Sequence, residues 1–192
     1  MRENQRVMLT KRLLKDSLVA LLTQKDIYQI SISELCEHAG INRTTFYKYY
    51  GSQFDLLKSM EDDMLEHVTN TLVVREDSIS AESLICLLEY LDENIQMSRV
   101  LINNNVDPDF PRRLFHLPPI RDGLLSLLRI HFEGNDLDYA FTFVIYGCFH
   151  MMVKWANKEN RESIEQMAFL LLQIIEKVIK EGTVDWEKTG DE

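Results

Sequence analysis

Apolar residues recur at helical spacing along nearly the whole chain. Leu14, Leu18, Leu21 and Leu22 stand at i, i+4, i+7 and i+8, with Lys11, Arg12, Lys15 and Asp16 elsewhere on the circumference, and this predicts an amphipathic helix over residues 6 to 24. After the link QKDIYQIS, Ser31 and Glu34 form a capping-box pair, each side chain able to satisfy an unpaired amide at a helix start, and a short second helix is expected over 32 to 39. Gly40 accepts the left-handed backbone of a tight stop, Asn42 caps the next helix at once, and the third helix is read over 43 to 50. Gly51-Ser52 repeats the break and the cap. From Gln53 onward Phe54, Leu57, Met60, Met64, Leu65 and Val68 mark a long fourth helix.

Beyond a polar turn at residues 75 to 80, Leu84, Leu87, Leu88, Leu91 and Ile95 describe a fifth helix. The segment NNNVDPDFPRRLFHLPP, residues 103 to 119, holds all four prolines, so an irregular or broken stretch is expected there, the best candidate for a moving part. Three more helices are read over 120 to 133, 136 to 157 and 162 to 181, the last ending at Gly182. No strand pattern, repeat or low-complexity tract interrupts them. The expected fold is all-α: a three-helix N-terminal helix-turn-helix domain over residues 1 to 52, then a helical bundle over 53 to 192, with the fourth helix connecting the two.

Composition agrees with a cytoplasmic helical protein. Only seven glycines and four prolines punctuate 192 residues, and the three cysteines, Cys36, Cys86 and Cys148, have neither disulfide nor zinc spacing. No apolar run approaches the roughly 18 residues of a membrane span, and the N-terminus carries charge where a signal peptide needs an apolar core. The five histidines show no ligand spacing, and no nucleophile elbow, phosphate-binding glycine loop or paired-carboxylate motif is present, so neither metal, cofactor nor enzymatic activity is expected. The net charge of −10 hides an asymmetry: residues 1 to 60 carry nine Lys/Arg against six Asp/Glu, and the remainder twelve against twenty-five. A basic head on an acidic body steers a polyanion to one end.

Residues 31 to 57, SISELCEHAGINRTTFYKYYGSQFDLL, resemble the DNA-binding signature of the TetR family of regulators, whose recognition helix reads threonine, an aromatic or leucine, tyrosine, any residue, then histidine or tyrosine. Here the run is Thr45-Phe46-Tyr47-Lys48-Tyr49. At 100° per residue Phe46 and Tyr50 point inward together, leaving Thr44 and Lys48 outward with Thr45 and Tyr47 on the flanks. The resemblance implies base or methyl contacts from Arg43, Thr44, Thr45 and Tyr47 and a phosphate contact from Tyr49, and Lys48 suits a second phosphate. Ser31, Ser33 and Gln53 complete the candidate set. Gln53 stands where many members carry lysine, so the phosphate contact there is weaker or shared with a helix N-terminus.

The same resemblance implies a homodimer on a double-stranded DNA operator and a small-molecule effector in the C-terminal body, with repression the expected outcome. Tyr90, Phe110, Phe115, Phe143, Tyr146, His150 and Met151 are the candidate pocket residues, combining apolar walls with a few polar tips. FTFVIYGCFHMMV and MAFLLLQII are apolar around too much of their circumference for one-sided helices, so a second buried contact is expected. Phe149, Met152, Trp155, Phe169, Leu172 and Ile175 are the candidate dimer residues, with Gly147 allowing close helix approach. An adaptor or activator whose body binds a protein partner is the alternative.

Overall fold

A computed structural model of the chain describes residues 2–73, 80–103 and 107–180. Within them the fold is all-α: α1 (Arg2–Leu22), α2 (Ile32–Ala39), α3 (Arg43–Tyr47), α4 (Gln53–Val73), α5 (Ala81–Glu93), α6 (Ile95–Ile102), α7 (Phe110–Phe115), α8 (Pro118–Leu128), α9 (Gly134–Asn157) and α10 (Ile164–Lys180), with a single 3-10 turn, Ile27–Gln29, between α1 and α2. The expected turn at residues 75 to 79 and the stop at Gly182 lie outside the described residues.

Contacts divide the chain into two compact units, Met1–His67 with Asn94–Phe110 and Val68–Glu93 with Pro111–Glu192. In the first, α1 packs on α2 and on α6. Leu14, Leu18 and Leu21 of α1 meet a core that includes Ile27, Ile30, Leu35, Phe46, Leu57 and Met60, all buried. At roughly 1.5–3 kcal/mol for each fully buried large side chain, these few contacts supply most of what holds such short helices together.

The turn between α2 and α3 is set by backbone geometry. Gly40 adopts φ 65° and ψ 28°. The Ile41 amide reaches back to the Cys36 carbonyl at 2.9 Å and the Gly40 amide to that of Glu37 at 3.2 Å, the paired bonds of a Schellman stop. A Cβ at Gly40 would meet no heavy atom within 4 Å. The cost of Gly40→Ala is therefore backbone strain alone, about 1–2 kcal/mol in a urea unfolding curve, and Gly40→Asn should lose less.

The structure refines the sequence reading at several elements, and α8 ends at Leu128 rather than at residue 133. α3 ends at Tyr47, short of residue 50, because the Tyr49 amide turns to the Phe46 carbonyl at 2.9 Å and tightens the last turn. Ile95 does not continue the fifth helix: Asn94, at φ −114° and ψ 33°, breaks the chain between α5 and α6. The proline segment is broken but not irregular, since Pro111 falls in the first turn of α7 and Pro118 opens α8, positions where a missing amide costs nothing. Residues 104–106 of that segment lie outside the described residues.

In the second unit α5 packs along α10, and α9 lies against α8 and α10. The α9–α10 corner is pinned: the Trp155 indole N–H donates to the Glu162 carbonyl at 2.9 Å, the Arg161 guanidinium lies 5.0 Å from the Trp155 ring centre, and Arg161 Nη2 reaches Asp92 of α5 at 2.6 Å. Among the described residues no helix is long and apolar enough to cross a membrane.

Candidate nucleic-acid interface

Two capped helix starts position the surface. The Ser31 hydroxyl accepts from the Glu34 amide at 3.2 Å, and Asn42 Oδ1 accepts from the Thr45 amide at 2.7 Å. The Glu34 carboxylate pairs with Lys25, which, with the Ser31 amide, holds its carboxyl below the usual range. Each cap satisfies an amide that would otherwise be orphaned, and together they fix where α3 begins relative to α2.

From that start, Phe46 and Tyr50 turn inward, with 0% and 6% of their surface exposed. Arg43, Thr44, Tyr47 and Lys48 face out, and Thr45 and Tyr49 are half-buried. Tyr47 is 57% exposed. Its ring meets Phe46 edge-on, centres 5.6 Å apart, so it rises from the core on a supported base. Arg43 Nη2 donates to the Ser33 hydroxyl, which orients the guanidinium along the α2–α3 junction. Ser31 and Ser33 are exposed at the start of α2. Gln53, half-buried, is the first residue of α4, whose first turn is capped by Ser52 through the Asp55 amide at 3.1 Å.

One residue absent from the sequence-predicted set joins this surface. Lys11 of α1 places its ammonium 5.8 Å from the Tyr49 ring centre, and Lys48 places its own 5.7 Å from the same centre. Lys15, Lys25 and Lys58, by contrast, face the carboxylates of Asp63, Glu34 and Asp62. Two cations thus converge on one phenol beside the recognition helix, an electrostatic seat for an anion. Lys11 lies 38 positions before Tyr49, and no local pattern links them.

The candidate effector residues scatter. Phe115 lines a cavity within the second unit, enclosed chiefly by aliphatic side chains such as Leu87, Leu124, Ile145 and Leu171. Phe110 is buried in the first unit instead. Phe143 is 68% exposed and Tyr146 40%, Tyr146 touching Phe115 at 6.1 Å between ring centres. His150 is exposed, and Tyr90 and Met151 are half-buried; none of these five lines the cavity. Of the candidate dimer residues, Phe149, Met152, Trp155 and Ile175 are buried in the unit's own core, Leu172 is half-buried and Phe169 is 62% exposed. On these two helices the large exposed apolar positions are Tyr139, Phe143 and Tyr146 of α9 and Phe169, Leu170 and Ile174 of α10, of which only Phe169 is among the candidate dimer residues.

Comparison with known proteins bears on both units. A family model described as bacterial regulatory proteins, tetR family, matches residues 16–60, and one described as transcriptional regulator C-terminal region matches residues 80–177. The uncharacterised HTH-type transcriptional regulator YxbF of Bacillus subtilis (strain 168) is 23% identical over 175 residues, 84% of this chain and 43% of that protein. The HTH-type dhaKLM operon transcriptional activator DhaS of Lactococcus lactis subsp. lactis (strain IL1403) is 32% identical over 88 residues, 45% of each chain. The matches thus span less than half of either curated relative. The crystal structure of a TetR transcriptional regulator from Streptococcus agalactiae 2603V superposes with a TM-score of 0.66 at 21% identity, covering 91% of this chain and 98% of that one.

Proposed function

The chain belongs to the TetR family of bacterial transcriptional regulators, whose members are DNA-binding proteins and not enzymes, and we propose that it binds a palindromic operator as a homodimer and represses until an effector enters the second unit. One observation carries this reading: the outward row Arg43, Thr44, Tyr47 and Lys48 on a capped, core-anchored α3. Such a helix fits a major groove, where Arg43 can pair with guanine and the threonine methyls can touch thymine. A two-fold dimer presents two such helices to half-sites one helical turn apart, about 34–36 Å. Fluorescence anisotropy on a pool of genomic fragments, then on selected palindromes at two salt concentrations, tests it. Salt-sensitive, sequence-selective binding is expected, and no binding even at low salt would overturn it.

In this reading Lys11 and Lys48, which converge on Tyr49, each neutralise a backbone phosphate. Lys11→Ala should then weaken binding almost equally on every sequence and lower the slope of log affinity against log salt by about 0.9 per head. An unchanged slope would remove Lys11 from the interface.

A second reading, activation, is favoured by the match to DhaS, described as an operon activator. A transcriptional reporter compared with and without the gene separates the two by sign.

A further inference from the structure

The cavity of the second unit has a volume of about 80 Å³ and is walled by residues of α4, α5, α7, α8, α9 and α10. No charged side chain or side-chain amide lines it. Its two polar groups are both spoken for or inert. The Ser83 hydroxyl is engaged with that of Ser80 at 3.0 Å. Burial pushes the Cys148 thiol up to about 11, so it stays protonated at neutral pH. A carboxylate, phosphate or ammonium drawn inside would find no counter-charge and no donor set, and burying an unpaired ion costs far more than apolar contact returns.

Size narrows the class further. An apolar cavity of about 150 Å³ takes benzene, so a space roughly half as large suits on the order of three or four carbon atoms. A narrow chain fits such a space better than a ring. We propose that this cavity receives a short alkyl group, either a small uncharged molecule or the end of a longer one whose polar head stays at the mouth, held by apolar contact alone. The assignment names the chemical class of the effector, and its regulatory meaning rests on the reading given above.

Calorimetric titration of the full chain with 1-alkanols from propanol to octanol tests it. Affinity should rise about fourfold per added methylene and level off once the cavity is filled, near four carbons. Butyrate, wholly drawn in, should bind at least a hundredfold more weakly than butanol at pH 7. Octanoate binding like octanol would mark the occupant as a tail with its head outside, and octanoate failing like butyrate would mark an enclosed small molecule; both outcomes keep the alkyl assignment. Val144→Phe, which projects a ring from the cavity wall, should move the plateau to shorter chains. If that variant does not fold, the length series on the natural chain decides alone. Butyrate binding as tightly as butanol, or affinity independent of chain length, overturns the proposal. Operator affinity measured at saturating butanol separates the two claims: alkanol binding without any change in operator affinity leaves the cavity assignment standing and removes the effector reading.

Discussion

Tyr47→Ala combined with Lys48→Ala should abolish selective operator binding while the protein stays folded. Both side chains stand outside the core, Tyr47 57% exposed and Lys48 on the surface, so their removal leaves Phe46 and Tyr50 packed beneath. The fold loses the edge contact between Phe46 and Tyr47, centres 5.6 Å apart, worth about 0.5–1.5 kcal/mol, and the exposed contact of Lys48 with the Tyr49 ring. DNA binding loses a groove contact and a phosphate contact in each head, about 2 kcal/mol per head together, and a dimer loses them twice. That is roughly a 10³-fold drop in affinity, read by anisotropy on the selected operator with circular dichroism as the fold control. Phe46→Ala is the necessary contrast. Its ring is fully buried, so truncation should cost about 3–5 kcal/mol of stability and abolish binding by melting the head. A double variant that binds like the natural chain would move the reading surface off α3.

The contrast between those two positions also explains what was legible in the sequence. Caps, the left-handed glycine and the alternation of Phe46 and Tyr50 with their outward neighbours are local features, dictated within one or two turns of chain, and the structure has them at the expected positions. The seat formed by Lys11 and Lys48 on Tyr49 was not legible, because it depends on the tertiary placement of Lys11 of α1 beside a residue 38 positions later. Nor was the break at Asn94: Ile95 keeps the apolar spacing of α5 across it, and periodicity cannot see a backbone break that preserves the pattern. The prolines mark the break as expected, but Pro111 and Pro118 also stand at helix starts, which the sequence reading did not assign.

The cavity and the apolar surface share a different obstacle. α9 and α10 carry apolar residues over much of their circumference, so sequence alone does not divide them into a face turned to the core and an apolar face left over. Aromatic residues with polar tips drew attention as pocket candidates, yet the cavity wall is aliphatic, the kind of lining that reads as ordinary core. Burial makes the division: Phe149, Met152, Trp155 and Ile175 go inward, while Phe143, Tyr146, Phe169, Leu170 and Ile174 stay out.

That remainder supports the second large prediction, that Phe169→Glu converts a homodimer into a monomer. On α9 the exposed stripe runs Tyr139, Phe143, Tyr146, His150, and on α10 the exposed positions Phe169, Leu170, Gln173 and Ile174 recur at one-turn spacing; the two helices pack on each other. Apolar patches of this kind on a helix pair are expensive to leave in water and mark interaction surfaces. Two-fold symmetry makes each substitution count twice, because the same patch lies on both subunits. A glutamate at 62%-exposed Phe169 costs the lone chain little, but buried against a partner it lacks a counter-charge, so dimer dissociation should strengthen by about 10³-fold or more. Light scattering at micromolar concentration should then read 22.6 kDa for the variant and twice that for the natural chain, with unfolding midpoints alike once dilution is matched. Gly147 supplies an independent check: it is exposed on the α9 stripe and an added Cβ meets no atom of its own chain within 4 Å, so Gly147→Leu should disturb only a neighbouring subunit. Operator affinity should fall in step with dimer loss in both variants, since one head alone forfeits the second half-site. A dimer that survives both changes would mean that α9 and α10 meet water and that the subunits join through some other surface.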